Sequence, residues 1–193
     1  MITQSTASIT LIRHGPPTVS LRTRITGQEF CAFVKRYEAA KIRRQALPPR
    51  SVAQTMHRAN LVFSSHRPRA LHTTKLLQPP VPPIVDERFR EIEFPVHLPL
   101  PLPLRCSALT WTALAVLLWR LGYSPGCESL NLARQRARAV AELLTAKADC
   151  AGPVVLVAHG GINRLIAKEL RRLGWRGPRL PRSRHWGCTT YRC

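Results

Sequence analysis

The chain has 193 residues, with 30 Lys or Arg against 10 Asp or Glu, so its formal net charge at pH 7 is +20. This length suits one domain with a sizeable buried core. The charge favours anionic partners, namely phosphorylated metabolites, nucleic acid or an acidic membrane surface. The six cysteines include no Cys-x-x-Cys pair, so the usual zinc and redox spacings are excluded, and we expect free thiols in a reducing cytoplasm.

The first half of the chain alternates strand-like and helix-like segments. Its patterns predict strands at 8–12, 60–65 and 81–85, and helices at 28–45, 51–58 and 68–77. Ser51 is the expected N-cap of the second helix, and Pro68 suits the first turn of the third. The segment 81–85 is expected at a sheet edge, because its prolines cannot donate to a central ladder.

The second half begins with a Pro/Leu-rich connector at 95–105, which contains the sequence LPLPLPL and is expected to be extended. The patterns then predict helices at 107–121, 128–147 and 162–173, and strands at 153–158 and 189–192. The apolar run at 108–119 is shorter than the ~20 residues that span a bilayer, so we expect a core helix and no transmembrane segment. The N-terminus lacks the pattern of a signal peptide, which favours a cytoplasmic location.

The alternation of strands and helices predicts one domain over residues 1–193, folded as a three-layer α/β/α sandwich with a mainly parallel central sheet. A basic segment at 171–193 ends the chain. In such sheets ligands bind beyond the carboxyl ends of the strands, and three predicted strands end on basic residues. Arg13 and His14 follow the first, Arg67 and Arg69 the second, and His159 with two glycines the last main strand. Together they predict a pocket for a phosphoryl group.

Four motifs, LIRHG, SSHRPRALHTT, DERFREIEF and VVLVAHGGINRLIA, resemble in order and spacing those of the histidine phosphatase superfamily, which has the phosphoglycerate mutase-like fold. The resemblance covers about residues 8–170. It implies that His14 is transiently phosphorylated, that Arg13, Arg69 and His159 hold the phosphoryl oxygens, and that Glu91 is the general acid. His159 thereby belongs to the catalytic set as well as to the phosphate-binding set.

The chemistry of phosphomonoester hydrolysis needs these residue types. A neutral imidazole attacks phosphorus, preplaced cations meet the charge on the oxygens, and a carboxyl protonates the leaving alkoxide. Glu87 and Glu93 are further carboxylates near Glu91, and Arg67 is expected at the surface. We expect no metal and no cofactor.

The resemblance favours a phosphatase over a mutase, because the connector and the helix after it occupy the region where mutases carry substrate-recognising insertions. The expected partner is a small phosphorylated substrate or a phosphoprotein. Sugar phosphates, nucleotides and a ribazole phosphate all stay open, as does the oligomeric state.

Two departures from the family pattern leave catalytic competence open. Pro16, Pro17 and Thr18 follow the RHG motif where many members have Glu or Gln and then Asn, and Pro95 replaces a glycine. The alternative is an inactive member that binds nucleic acid or other anions through the arginines and two tryptophans of 171–186. Nucleic acid is a possible partner of the chain but not the favoured one.

The remaining polar residues of interest have structural interpretations. Ser65 is expected to cap the helix that follows it, and Glu128 to lie in the first turn of a helix. The histidines expected to be surface or structural residues are His57, His66, His72, His97 and His185.

Overall fold

The computed structural model describes residues 7–99 and 104–193, and over these ranges strands and helices alternate as predicted. The strands are β1 (Ser8–Arg13), β2 (Arg24–Ile25), β3 (Leu61–Ser65), β4 (Ile84–Asp86), β5 (Cys106–Ser107), β6 (Val154–Ala158) and β7 (Cys188–Arg192). The helices are α1 (Phe30–Ala39), α2 (Arg50–His57), α3 (Pro68–Leu76), α4 (Ala108–Arg120), α5 (Leu130–Ala151) and α6 (Gly160–Arg172). One 3₁₀ turn, Glu87–Phe89, follows β4.

Five strands form the central sheet, in the order β4-β3-β6-β1-β7. The first four are parallel, and β7 pairs antiparallel with β1 at one edge. Parallel neighbours require crossover connections, which the helices supply. The predicted mainly parallel sheet is therefore confirmed.

Helices cover both faces of this sheet. Leu11 and Leu156 point to one side, where they pack against α5 and α6. Ile12 and Val157 point to the other side, towards α2 and α3. Successive side chains of a strand face opposite sides, so an apolar run such as β6 stabilises both interfaces at once. The three-layer α/β/α sandwich is confirmed.

A smaller apolar cluster lies beside the sandwich, where α1 meets α4. Phe30, Phe33 and Trp111 are buried in it, and the Trp111 indole donates to the Ile25 carbonyl over 2.9 Å. The two-stranded β2-β5 sheet adjoins it and was not predicted, because each strand has only two residues. Within residues 7–99 and 104–193, no helix combines the length and apolarity needed to cross a membrane.

Three predictions in the first half of the chain were wrong in detail. The helix predicted at 28–45 ends at Ala39, because the backbone turns extended at Ala40 and Ile42 then bridges to Pro17. Ser51 is not an N-cap, since α2 already begins at Arg50. The edge strand begins at Ile84, after the prolines rather than through them.

The second half has one comparable correction. Ser129 caps α5 by accepting from the Leu132 amide, so Glu128 precedes the helix instead of lying in its first turn. Glu128 is buried against Arg136, with 2.6 Å between Oε2 and Nη2. The connector predicted at 95–105 falls partly outside the described residues, at 100–103; residues 95–99 contain no helix or strand.

Candidate active site

The predicted site residues meet at one edge of the sheet. Strands β1, β6 and β3 are neighbours and parallel, so their carboxyl ends lie side by side. His14 follows β1, His159 follows β6, and Arg69 lies in the first turn of α3 beyond β3. The two imidazole rings meet edge to face, with 5.2 Å between their centroids. The fold thus places residues from distant parts of the chain in one cluster.

His14 is buried, with 1% of its surface exposed, and both ring nitrogens have partners. Its Nδ1 lies 2.7 Å from the Gly15 carbonyl oxygen, and Arg69 Nε donates to its Nε2 over 3.3 Å. A carbonyl only accepts and a guanidinium only donates, so the proton is assigned to Nδ1 and the free electron pair to Nε2. Burial, reinforced by the Arg69 charge, holds the His14 pKa well below its usual range. The ring is therefore neutral.

Arg69 is 2% exposed, and its guanidinium is held by backbone carbonyls. Its Nη1 donates to the carbonyl oxygens of Tyr37 and Glu38, at 3.2 Å each, where α1 ends. No carboxylate in the described part of the chain forms an ion pair with it. Burial lowers the Arg69 pKa, while the negative charge of Glu91 acts in the opposite direction. The site thus contains a buried cation available to an anion.

His159 is completely buried beside this pair. Its Nε2 lies 2.9 Å from Ser65 Oγ, at the end of β3. Its Nδ1 is buried and has no hydrogen-bond partner among the residues described. Burial, together with the Arg69 charge, keeps the His159 pKa well below its usual range. This leaves one ring nitrogen free to contact a ligand.

Arg13 supplies a second unsatisfied nitrogen. Its Nη1 donates to the Ser183 carbonyl, which anchors the guanidinium to the segment before β7. Its Nε is buried and lacks a partner within the described ranges. Buried polar groups are nearly always hydrogen-bonded, so this nitrogen has a donor to offer to a ligand oxygen.

Glu91 lies against the N-terminus of α6. Its Oε1 accepts from the Ile162 amide at 2.9 Å and from the Ile92 amide at 3.0 Å, and its Oε2 accepts from the Gly161 amide at 3.2 Å. Helix N-termini favour carboxylates, because their first amides have no intrahelical partner. Two glycines at a helix start let backbone amides approach an anion, and here the Gly161 amide and the next amide, that of Ile162, donate to the Glu91 carboxylate.

The neighbouring charged residues are engaged elsewhere or exposed. Glu93 accepts from Arg90 at 3.1 Å and from the Glu128 amide at 3.1 Å, and Glu87 is exposed. Arg67 pairs with Glu38 over 3.4 Å. Of the three candidate carboxylates, only Glu91 contacts α6.

Three residues at the site were missed by sequence reasoning. Ser65 does not cap α3; its hydroxyl contacts His159. The Thr73 hydroxyl accepts from the Gly15 amide over 2.9 Å. The His185 ring lies 5.3 Å from that of His14, and burial lowers its pKa to about 4. The serine and threonine belong to the SSHRPRALHTT motif, but no local signal marks His185.

The RHG loop is tightly packed despite its unusual prolines. The Pro16 carbonyl accepts from the Arg43 amide at 2.9 Å, and the Pro17 carbonyl accepts from Arg43 Nε at 3.2 Å. On the other side, a Cβ on Gly15 would lie 2.6 Å from the Trp186 ring. The departure from the family pattern therefore comes with its own anchors.

The sequence model of the histidine phosphatase superfamily (branch 1) matches residues 9–190. This range includes every site residue described above, from Arg13 to His185. The chain belongs to the histidine phosphatase superfamily. None of the curated proteins matches it significantly.

Solved structures share the fold. A mycobacterial glucosyl-3-phosphoglycerate phosphatase in complex with VO3 superposes with TM-score 0.59 at 24% identity, covering 95% of this chain and 92% of that one. The Rv3214 protein of Mycobacterium tuberculosis gives TM-score 0.61 at 19% identity, covering 95% and 89%. TTHB049 from Thermus thermophilus gives TM-score 0.61 at 22% identity, covering 95% and 92%. Identities this low show a common fold only.

Proposed function

We propose that this protein is a phosphomonoester hydrolase that works through a phosphohistidine on His14. The observation that carries the proposal is the state of His14: a neutral imidazole whose electron pair on Nε2 points at the buried cation of Arg69. Two buried nitrogens without partners, Arg13 Nε and His159 Nδ1, lie around it. This is the arrangement that a phosphoryl group requires of its nucleophile and its binding groups.

In the first step the hydrogen bond from Arg69 Nε to His14 Nε2 breaks, and Nε2 attacks phosphorus with the released electron pair. An N–P bond forms, and the bond from phosphorus to the alcohol oxygen breaks. The Nδ1 proton stays on the ring, hydrogen-bonded to the Gly15 carbonyl. Arg69, Arg13 and His159 donate to the nonbridging oxygens, whose charge must be met in the transition state. Removing one such donor lowers kcat by a factor of about 10²–10³.

Glu91 protonates the departing oxygen in this scheme. In the second step water attacks the phosphohistidine, the N–P bond breaks, and the same carboxylate takes the proton of the water. The resemblance of the REIEF segment to the family motif supports this role, as does the contact of Glu91 with α6, the helix that His159 precedes. The scheme requires neither metal nor cofactor. Water needs no second binding site as the phosphoryl acceptor, which favours a phosphatase over a mutase.

The alternative function, an inactive family member that binds nucleic acid, relied on two tryptophans for base stacking, and the structure weakens that argument. Trp175 is 2% exposed and donates to Thr145 Oγ1 over 2.9 Å, and Trp186 packs on Gly15. Trp175 therefore presents no face for base stacking, and the Trp186 ring is partly buried. Arg172 of this segment pairs with Glu169, but its other arginines are exposed and form no ion pair within the described ranges. Nucleic-acid binding therefore remains a prediction, as does the cytoplasmic location.

The decisive experiment is hydrolysis of para-nitrophenyl phosphate in EDTA by the wild type and by His14→Ala, with the exposed His57→Ala as matched control. We expect turnover by wild type and His57→Ala, and none by His14→Ala. Wild type quenched during turnover with detergent at alkaline pH should retain a phosphoryl group that is stable in base and lost in acid. Vanadate should inhibit, as a similar phosphatase has been solved with VO3. A folded wild type with no turnover across a phosphomonoester panel would refute the proposal.

A further inference from the structure

A cavity of about 490 Å³ lies directly beside Glu91. Its walls come from α4, α5, α6 and the segment that follows Glu91, so it sits where the central sandwich meets the smaller apolar cluster. Under the proposed function, the carboxyl of Glu91 must reach the oxygen of the leaving alcohol. The cavity that Glu91 lines is therefore the natural place for the rest of that alcohol.

Three arginines, each from a different helix, line this cavity: Arg120 of α4, Arg134 of α5 and Arg164 of α6. All three are exposed, and none forms a hydrogen bond or ion pair within residues 7–99 and 104–193. Glu91 is the one acidic residue among the described lining, and its oxygens are already bound by backbone amides. The cavity thus carries an excess of positive charge without an internal partner.

The remaining lining is largely apolar. It includes Ile92, Phe94, Val116, Trp119 and Leu165. Pockets of this composition bind the body of a ligand through apolar contact and orient it through a few charged groups. Guanidinium groups match carboxylate and phosphate in geometry, so the charged end of such a ligand is an anion.

We propose that this cavity binds the leaving group of the substrate, and that Arg120, Arg134 and Arg164 select an alcohol that carries a second anionic group on an apolar body. The inference rests on the proposed function and narrows its substrate class to phosphomonoesters with a carboxylate or a second phosphate. Simple neutral phosphomonoesters are then turned over with a higher KM.

A second cavity of similar size, about 480 Å³, is the competing location. Its lining contains Lys35 and Arg67 but also Glu38 and Glu93, and Arg67 is already paired with Glu38. Its charges therefore balance, and Glu91 does not line it. Both differences favour the cavity beside Glu91 for an anionic leaving group.

The test compares 4-carboxyphenyl phosphate with its neutral analogue, 4-(methoxycarbonyl)phenyl phosphate. The variants are Arg120→Gln/Arg134→Gln and, as control, Arg138→Gln/Lys147→Gln, which removes the same charge from exposed positions of α5. We expect the kcat/KM ratio of charged to neutral substrate to fall about tenfold in the first variant, mainly through KM, and to stay unchanged in the control. Turnover of para-nitrophenyl phosphate should be unaffected in the control.

Each result bears on one of the two proposals. A wild type without preference for the carboxylate, or an equal loss in the control, overturns the cavity assignment while the hydrolase stands. A loss produced instead by Arg67→Gln places the leaving group in the other cavity and also overturns it. Binding of 4-carboxybenzylphosphonate, which has no scissile ester, separates the two proposals. If it binds wild type more tightly than Arg120→Gln/Arg134→Gln while wild type hydrolyses neither phosphate ester, anion selection by the cavity stands and the hydrolase is refuted.

Discussion

Arg69 Nε donates to His14 Nε2 over 3.3 Å, and both side chains are almost completely buried. A buried cation without a carboxylate partner is costly, and here two carbonyls provide only part of the compensation. A phosphate or vanadate ion would complete it. The pair can therefore accept an anion, and the Arg69 charge at the same time helps to keep the His14 ring neutral.

The first prediction concerns anion binding at this pair. Inorganic phosphate at 100 times its Kd should stabilise the wild type by about 2.7 kcal/mol, because it binds only the folded state. In Arg69→Gln the stabilisation should be lost, and kcat should fall about 10²–10³. Thermal unfolding with and without phosphate measures the first effect. A phosphate-dependent shift of the same size in the variant would argue against Arg69 as a ligand.

Glu91→Gln should show an effect that depends on the leaving group. A nitrophenolate departs without a proton, whereas an alkoxide needs one, so the loss should be small for para-nitrophenyl phosphate. For an alkyl phosphate kcat should fall by a factor of about 10²–10⁴. Steady-state kinetics with both substrates measure the difference. Equal losses would indicate that Glu91 only holds the N-terminus of α6.

The matched control for that position is Glu93→Gln, the carboxylate two residues on, which bonds to Arg90 and the Glu128 amide. It should reduce turnover of both substrates equally or not at all. A leaving-group dependence in Glu93→Gln instead would move the acid to Glu93.

Gly161→Ala should disturb Glu91 through contact alone. A Cβ at this position would lie 2.6 Å from both Glu91 Oε1 and Ile92 Cγ1, closer than real side chains approach. As in Glu91→Gln, we expect Gly161→Ala to lose more turnover of alkyl phosphates than of para-nitrophenyl phosphate. The Gly161→Ala protein should still bind vanadate. Unchanged turnover of alkyl phosphates would show that the Glu91 carboxylate is free to relocate.

Arg136→Ala should be strongly destabilising. Arg136 and Glu128 are over nine-tenths buried at the side chain, and Arg136 also donates to the carbonyls of Arg88 and Arg90. Its removal breaks a buried ion pair and leaves Glu128 with only the longer contact to Arg90, at 3.7 Å. Breaking a buried pair costs about 3–5 kcal/mol. Arg138→Ala, two residues on, removes an exposed pair with Glu142 and should cost under about 1 kcal/mol. Urea unfolding of the two variants gives the comparison.

The stability of the fold should decrease as the pH falls below about 6.5. His14, His159 and His185 have lowered pKa values when folded, that of His185 about 4, so they stay neutral while the unfolded chain takes up protons. The folded state has its full stability above the histidine pKa of the unfolded chain, about 6.5. This stability is lost as the pH falls towards the lower pKa values of the folded protein. Urea unfolding between pH 7.5 and 5 should show a shallower loss for His185→Gln than for wild type. An equal slope would exclude His185 from this effect.

The sequence predicted the fold well where local patterns were strong. Apolar runs such as 153–158 mark buried strands, and strands separated by helices imply parallel pairing with both faces covered. It failed where tertiary contacts override helical periodicity: the helix predicted at 28–45 stops at Ala39, because Ile42 leaves it to bridge Pro17. The two-residue strands β2 and β5 were too short to give any pattern.

The same division applies to the candidate site. Patterns along the chain were enough to predict that His14, Arg69 and His159 lie together, because the carboxyl ends of parallel strands meet at one edge of a sheet. The position of His185 beside His14, and the contact of Glu91 rather than Glu93 with α6, became visible only in the folded chain. Those contacts join segments far apart in the chain, and their geometry depends on packing that no short stretch of sequence encodes.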